Sequence, residues 1–249
     1  MKVSIVQMDV EWSMVRENTR VAEQMIQEAA GSDLYVLPEM WSTGFATDPR
    51  GIAESDDASL QWMRHTAGRM DAALSGSLSV YVGNTYVNRH YFVYPDGTYN
   101  YYDKHHLFGY GGEDRYYSAG ELRVTAEWRG WRFLLLTCYD LRFPQWSRYH
   151  SDYDAIVLCA NWPSRRAHAW DVLTRARAIE NQCHVIASNR VGRDMQCEYG
   201  GDSRIVDAHG QLLTPSGATG AMVLTAEIDK ESQDAYRQHF RVLDDRDCQ

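Results

Sequence analysis

The feature that most constrains this chain is an apolar run that stops on a thiol. Phe133-Leu134-Leu135-Leu136 leads into Thr137-Cys138-Tyr139-Asp140-Leu141-Arg142-Phe143-Pro144. Four successive large apolar side chains leave no strand face for solvent, so the segment belongs in the middle of a sheet covered on both sides. Pro144 cannot donate to a ladder but suits the first turn of a helix, so strand, tight corner and helix follow one another here. Cys138 stands at the corner. Backbone N–H groups there, that of Tyr139 first, lack a ladder partner and can face a developing negative charge. A thiol alone in such a place is most often a small buried hydrophobe. A nucleophilic role needs a base and a cation beside it, and the chain carries candidates for both at other strand ends.

The 249 residues fit one α/β domain over 1–249, since no linker, repeat or composition shift divides them. The apolar runs are too short to span a bilayer, and residues 1–6 go directly into a strand pattern, so neither a membrane partner nor an export leader is expected. Cys138, Cys159, Cys183, Cys197 and Cys248 make an odd number with no Cys-x-x-Cys pair. That usage fits a reducing cytoplasm. A net charge of -9 argues against a nucleic-acid partner.

Alternation over 2–8 predicts a strand, and apolar residues at helical spacing over 18–30 predict a helix. Leu34-Tyr35-Val36-Leu37 reads as a short strand stopped by Pro38. Glu39 therefore sits just past a strand end, in a loop of aromatic and small residues. A solvated carboxylate is the ordinary reading of such a position, but one desolvated by those aromatics suits a general base. A helix over 58–73 and a strand over 78–85 follow. Next comes a hairpin, residues 89–94 and 98–103 turning at Pro95-Asp96-Gly97. Lys104 ends its second strand, where a solvated edge charge is the commonest reading. His105-His106 predict no metal site, because adjacent residues on an extended chain point to opposite faces and no third ligand is spaced to help. Loop 107–120 lacks a phosphate-binding glycine spacing and reads as a mobile lid. A buried strand over 155–159 ends in Asn161-Trp162-Pro163; a helix over 168–181, strands over 185–188, 203–206 and 221–227, and a polar helix over 230–238 complete the chain. Strands alternating with helices around one antiparallel hairpin predict two sheets between helices, a four-layer α-β-β-α sandwich.

Glu39, Lys104 and Cys138 each follow a strand, and strand ends are where α/β sheets gather ligands. In Leu37-Pro38-Glu39-Met40, in Tyr102-Asp103-Lys104-His105-His106-Leu107-Phe108 and in the Cys138 segment, they resemble the Glu, Lys and Cys signatures of the nitrilase superfamily of carbon-nitrogen hydrolases, in family order. Asn161-Trp162-Pro163, the run 175–182, Ser188-Asn189-Arg190-Val191-Gly192 and Gly201-Asp202-Ser203 extend the resemblance over nearly the whole chain. The Cys-Tyr-Asp-Leu-Arg-Phe-Pro, Asn-Trp-Pro and Asn-Arg-Val-Gly combination is most similar to bacterial omega-amidases, which deamidate 2-oxoglutaramate and 2-oxosuccinamate. Glu113, seven residues before Gly120, matches the second glutamate of the family.

The resemblance implies a mechanism. Glu39 takes the thiol proton, Cys138 attacks the amide carbon, and Lys104 with the Tyr139 N–H stabilises the oxyanion. Glu39 then protonates the departing ammonia and activates the water that hydrolyses the thioester, while Glu113 orients substrate or supports the Lys104 charge. An ordinary thiol titrates near about 8.5, and Lys104 is expected to lower Cys138 from there. Arg142, Asn161 and Trp162 are expected to bind substrate. Arg142, ahead of Arg165 and Arg166, offers the planar guanidinium that grips a carboxylate bidentately. The resemblance implies no metal or organic cofactor, a small-molecule amide as substrate, and at least a homodimer pairing through the helix near Pro144, with Trp146, and through the carboxyl-terminal tail. Two alternatives stand beside it: the same chemistry on an N-carbamoyl amino acid or glutamine, and an inactive nitrilase-like binding module. The intact Glu39, Lys104 and Cys138 count against the second.

Overall fold

The computed structural model describes residues 1–55 and 57–247, and Cys248 lies outside the described residues. In chain order the elements are β1 (Lys2–Gln7), α1 (Val15–Glu28), β2 (Leu34–Val36), α2 (Ala58–Met70), β3 (Ala73–Val82), β4 (Thr85–Val93), β5 (Tyr99–Asp103), β6 (Thr125–Trp128), β7 (Trp131–Thr137), α3 (Pro144–Ser147), β8 (Ala155–Ala160), α4 (Ala167–Asn181), β9 (His184–Asn189), β10 (Val191–Arg193), β11 (Glu198–Gly200), β12 (Arg204–Val206), β13 (Met222–Glu227) and α5 (Lys230–His239).

Two mixed sheets carry the fold. The first runs β13-β1-β2-β3-β4-β5 and the second β12-β9-β8-β7-β6, with β10 and β11 as a separate ribbon. Strands β1 to β3 are parallel, as are β7 to β9, and the remaining neighbours are antiparallel. Each layer follows from the side chains. Ala22 and Ile26 of α1 and Leu60 and Met63 of α2 cover one face of the first sheet at Val6, Tyr35 and Leu74. Its other face, with Val3, Ile5, Val36 and Phe92, packs on Phe133, Leu135, Val157 and Ile186 of the second sheet. Leu134, Leu136 and Leu158 then meet Trp170 and Ala178 of α4. The apolar run of β7 is thus divided by the strand's period of two, odd residues between the sheets and even residues under a helix. The result is the expected α-β-β-α sandwich.

Direction places the site. β2 is parallel to β3, and β5 returns to that direction after antiparallel β4, so β2 and β5 end on the same edge. Parallel β7 and β8 end side by side in the second sheet.

Two expectations need correcting. The strand placed over 78–85 begins at Ala73 and ends at Val82, and the chain turns at Gly83-Asn84 with φ of 58° and 68°. Two residues in the left-handed region suit a tight hairpin, so β3-β4-β5 is a three-stranded meander instead of one hairpin. The first half of β3 escapes a periodicity reading because Ser75-Gly76-Ser77 is small and polar. It is small because a Cβ at Gly76 would lie 2.8 Å from the Leu37 Cβ. Strands β6, β10 and β11 carry no apolar signal and were not expected at all.

Between the sheets, His90 of β4 is fully buried, with Nε2 2.7 Å from Ser75 Oγ and Nδ1 3.1 Å from the Leu136 carbonyl. Burial lowers its pKa to about 4 from 6.5, against the opposing pull of the Leu136 carbonyl and Asp140. The native state therefore holds the neutral ring, while the unfolded chain takes up a proton below about pH 6.5. Stability is full above that pH and falls as pH drops toward 4, by roughly 3 kcal/mol at about 1.4 kcal/mol per pH unit. Urea midpoints measured from pH 7 to pH 4 should fall less steeply for His90→Gln than for the parent, and parallel curves would refute this.

Candidate active site

Glu39 reaches the sheet edge because β2 stops short. Pro38 ends the ladder, Met40 turns at a φ of 43°, and its N–H is caught by Ser77 Oγ at 2.9 Å. The Glu39 side chain is fully buried. Its Oε1 accepts from Lys104 Nζ at 2.9 Å and Asn88 Nδ2 at 2.8 Å, and its Oε2 from the Asn161 N–H at 3.0 Å. Asn161 Nδ2 also donates to the Glu39 carbonyl at 2.7 Å, which binds the loop after β2 to the end of β8.

Lys104 follows β5 directly and is 1% exposed, so its ammonium depends on protein partners. Glu113 supplies two contacts, Oε2 at 2.9 Å and Oε1 at 3.2 Å from Nζ. Glu113 Oε2 also accepts from the Phe108 N–H at 2.6 Å. The loop expected as a mobile lid is therefore pinned from inside. Gly120 closes it, donating to the Lys104 carbonyl at 3.0 Å, at a spot where a Cβ would collide with the Asp103 carbonyl. Burial by itself would depress the ammonium, but Glu113 and then Glu39 hold it well above its ordinary value, so Lys104 is a fixed cation. Glu113 goes the other way. Burial raises its carboxyl and Glu39 adds to the rise, against the pull of Lys104.

Cys138 begins a one-turn 3-10 segment, Cys138–Arg142, with a φ of 45°. That left-handed backbone is uncommon for a residue with a Cβ and turns the side chain out of the strand line. Asp140 anchors the corner. Its Oδ2 accepts from the Thr137 N–H at 2.9 Å and Tyr102 OH at 2.7 Å, and its Oδ1 lies 2.9 Å from both the backbone N and Nδ1 of His106. The ring of His106 stacks on Phe143 at 3.8 Å, and that of His105 stacks on Trp146 at 3.7 Å. The histidine pair thus fastens the Lys104 segment to the thiol corner. Leaving a buried acceptor such as Asn88 Oδ1 unpaired costs about 1–3 kcal/mol, and Asn88 does so while its nitrogen serves the acidic pair.

A cavity of about 360 Å³ opens over Glu39, Lys104 and Cys138, with Arg142, Arg165 and Arg166 at its wall. The expectation for the thiol is corrected here. Burial and the charge of Glu39 push Cys138 well above its ordinary value, and the lowering by Lys104 does not overcome them. The resting sulfur keeps its proton.

Residues 2–238 match the family model for carbon-nitrogen hydrolase. The chain belongs to the carbon-nitrogen hydrolase family. It is 40% identical to omega-amidase YafV of Escherichia coli (strain K12) over 99% of this chain and 97% of that protein. To 2-oxoglutaramate amidase of Bacillus subtilis (strain 168) it is 36% identical, over 98% and 96%. Among solved structures, the CN-hydrolase superfamily protein XC1258 from Xanthomonas campestris superposes with a TM-score of 0.96 at 38% identity, covering 100% of this chain and 98% of that one. The chain is accordingly a hydrolase with the amidase chemistry of its family.

In this carbon-nitrogen hydrolase the structure brings Glu39, Lys104, Cys138, Tyr139, Arg142, Asn161 and Trp162 to one cavity wall. Glu113 stands behind Lys104, fully buried, so it supports the ammonium and does not face the cavity. Arg142 lies over the Trp162 ring at 4.9 Å, and Arg166 over Phe108 at 5.2 Å. Trp146, expected at a subunit interface, is half-exposed, stacks on His105 and donates to Tyr102 OH at 3.0 Å. Sequence reasoning missed Asn88 and gave Asp140 no role. The signals were there: a lone amide amid the aromatic residues of β4, and a carboxylate two residues past a thiol at a strand end.

Removing Asp140 releases both sides of the corner. Asp140→Ala should lower the unfolding free energy by about 3 kcal/mol, the scale of losing charged hydrogen bonds in a buried site, and cut turnover at least about tenfold. Denaturant titration and initial rates check this; a variant with parental stability and turnover would contradict the anchoring role.

Proposed function

We propose that this carbon-nitrogen hydrolase is an omega-amidase, releasing ammonia from short linear amides whose far end is a carboxylate, 2-oxoglutaramate and 2-oxosuccinamate among them. The observation that carries the reading is the arginine wall. Arg142 and Arg166 line the cavity of Cys138, and among the described residues neither pairs with a carboxylate. Each rests one face on an aromatic ring, which leaves the guanidinium edge for a planar anion. The relatives named omega-amidase and 2-oxoglutaramate amidase support the same substrate class.

The charges set the order of events. Because the sulfur keeps its proton at rest, attack requires Glu39 to take that proton as the carbon-sulfur bond forms. Neutralising Glu39 frees Lys104 from half of its partnership, so the ammonium turns to the oxyanion as that charge appears. The Tyr139 N–H joins it, lying in the first turn of the 3-10 segment where backbone donors have no intrahelical acceptor. Glu39 then passes its proton to the leaving nitrogen and ammonia departs; a water deprotonated by Glu39 next attacks the thioester carbon, the carbon-sulfur bond breaks, and the Cys138 sulfur takes that proton back from Glu39. Every step uses this chain's own groups.

We further propose a homodimer. Exposed Phe240 and Val242 support the carboxyl-terminal half of the expected pairing surface, and α4 also exposes Val172 and Ile179. A cytoplasmic setting agrees with Cys138, Cys159, Cys183 and Cys197 being free thiols.

The experiment is ammonia release from a panel of small amides. Cys138→Ala should abolish turnover with the fold intact, and Glu39→Gln and Lys104→Met should lose about a hundredfold to a thousandfold. 2-Oxoglutaramate should be hydrolysed far faster than butyramide, and Arg142→Met or Arg166→Met should shrink that preference by about tenfold or more, the scale of one charge-assisted hydrogen bond. Equal rates on the two amides in the parent would rule out the omega-amidase reading and leave the thiol chemistry standing. Light scattering should give at least twice the 28.6 kDa of one chain, and a monomer at micromolar concentration would refute the dimer.

A further inference from the structure

Asn88 lies in the middle of β4, fully buried, outside the cavity wall and outside every motif that pointed to the chemistry. Its amide nitrogen carries two hydrogens, and each is committed to a different carboxylate. Nδ2 donates to Glu39 Oε1 at 2.8 Å and to Glu113 Oε1 at 3.0 Å. The other end of the same amide, Oδ1, is buried with no hydrogen-bond partner among the described residues. Turning the amide over would set Oδ1 against two carboxylate oxygens, so electrostatics fixes the orientation. A protein seldom leaves a buried acceptor unpaired without a reason, and here the reason is where the nitrogen points.

The charge count says what that nitrogen does. One ammonium, Lys104, sits between two fully buried carboxylates. Two carboxylates sharing a dry site favour a state in which one of them holds a proton. A second cation would relieve this but would also compete for the oxyanion. A primary amide supplies two donors and no charge.

We propose that Asn88 is a positioning residue of the reaction, holding Glu39 in place for Cys138 and keeping the two carboxylates apart by sharing its two amide hydrogens between Glu39 and Glu113. The inference rests on Glu39 as the proton acceptor proposed above. The other groups facing this cluster are Lys104 from the end of β5, Cys138 and the Asn161 N–H from the ends of β7 and β8, Cys159 of β8, and the Tyr117 hydroxyl, which is bonded to Ser79 Oγ at 2.7 Å. Burial and Glu39 already raise the carboxyl of Glu113, which is the direction that losing Asn88 would extend.

The test is the pH profile of kcat/KM on the best amide from the panel, for the parent, Asn88→Leu and Asn88→Asp. Leucine removes both donors at similar volume, and aspartate keeps the shape but replaces the donors with a third carboxylate. The acid limb should move up by about one pH unit or more in the leucine variant and further in the aspartate variant, one unit being tenfold in proton affinity. At pH values below the parental limb turnover should fall about tenfold and recover as pH rises past the shifted limb, with KM changed less than about threefold, since the loss lies in the protonation of the acidic pair and not in substrate binding. Glu113→Gln placed in the Asn88→Leu background should bring the limb back toward its parental position. A limb that does not move, a loss equal at every pH, or a change confined to KM would each overturn the inference. If the leucine variant does not fold, the near-isosteric aspartate variant decides alone. An active Cys138→Ala protein would instead sink the thiol reading, an outcome separate from an unmoved limb.

Discussion

The buried cluster of Glu39, Lys104 and Glu113 is the interaction on which the rest of the molecule depends. All three side chains are sealed from solvent, and an unpaired ion in such a place is prohibitively expensive. Each therefore needs the others, and each comes from a different part of the chain: the end of β2, the end of β5 and the loop that follows it. The cluster cannot form until the β3-β4-β5 meander has brought Lys104 back to the edge where β2 stops. Breaking a buried ion pair by deleting one partner typically costs about 3–5 kcal/mol, because the survivor stays buried. The site is in this sense part of the fold's closure, which explains why the loop carrying Glu113 is held from inside while its outer residues, such as Tyr110 at 85% exposed, face solvent.

A second constraint acts on the sulfur. Cys138 adopts a left-handed backbone that a side chain ordinarily avoids, and Asp140 holds it there through Thr137, Tyr102 and His106. Three of these bonds cross from the second sheet to the first sheet or to the segment just after β5. The same carboxylate therefore fixes the Cys138 corner and the root of Lys104, and the half-exposed stacked pairs His105–Trp146 and His106–Phe143 lie over it. Strain at one residue persists because several independent bonds over-determine it.

Much of this was legible in the sequence, and the rest was hidden for definite reasons. β7 and β8 announced themselves because strands buried on both faces have continuous apolar runs, and Glu39, Lys104 and Cys138 stood out as polar residues at strand ends. The start of β3 did not, since close packing of Gly76 on Leu37 and Trp41 demands a small residue where β-propensity would ask for a branched one. Asn88 was hidden by its place inside a strand: only three-dimensional structure shows that its two hydrogens meet carboxylates 49 and 25 residues away. The sign of the Cys138 shift was misjudged because sequence reveals the neighbouring cation but not how deeply the thiol lies or how close Glu39 stands.

That sign changes how the site stores its reactivity. A thiol ionised at rest would react with any electrophile that entered a cavity of about 360 Å³. Here the sulfur is protonated and the charge that could activate it is held on Glu39, inside a net of four donors from Lys104, Asn88 and Asn161. Three of those donors reach the carboxylate itself and the fourth holds its backbone, so the proposed base is fixed in position before a substrate arrives. In the proposed mechanism nucleophile formation and carbon attack are then one event, and the developing oxyanion meets a lysine whose other partner, Glu113, keeps it charged throughout. The cation need not be created during the reaction, only redirected, which is the advantage of electrostatic preorganisation over a response by mobile solvent.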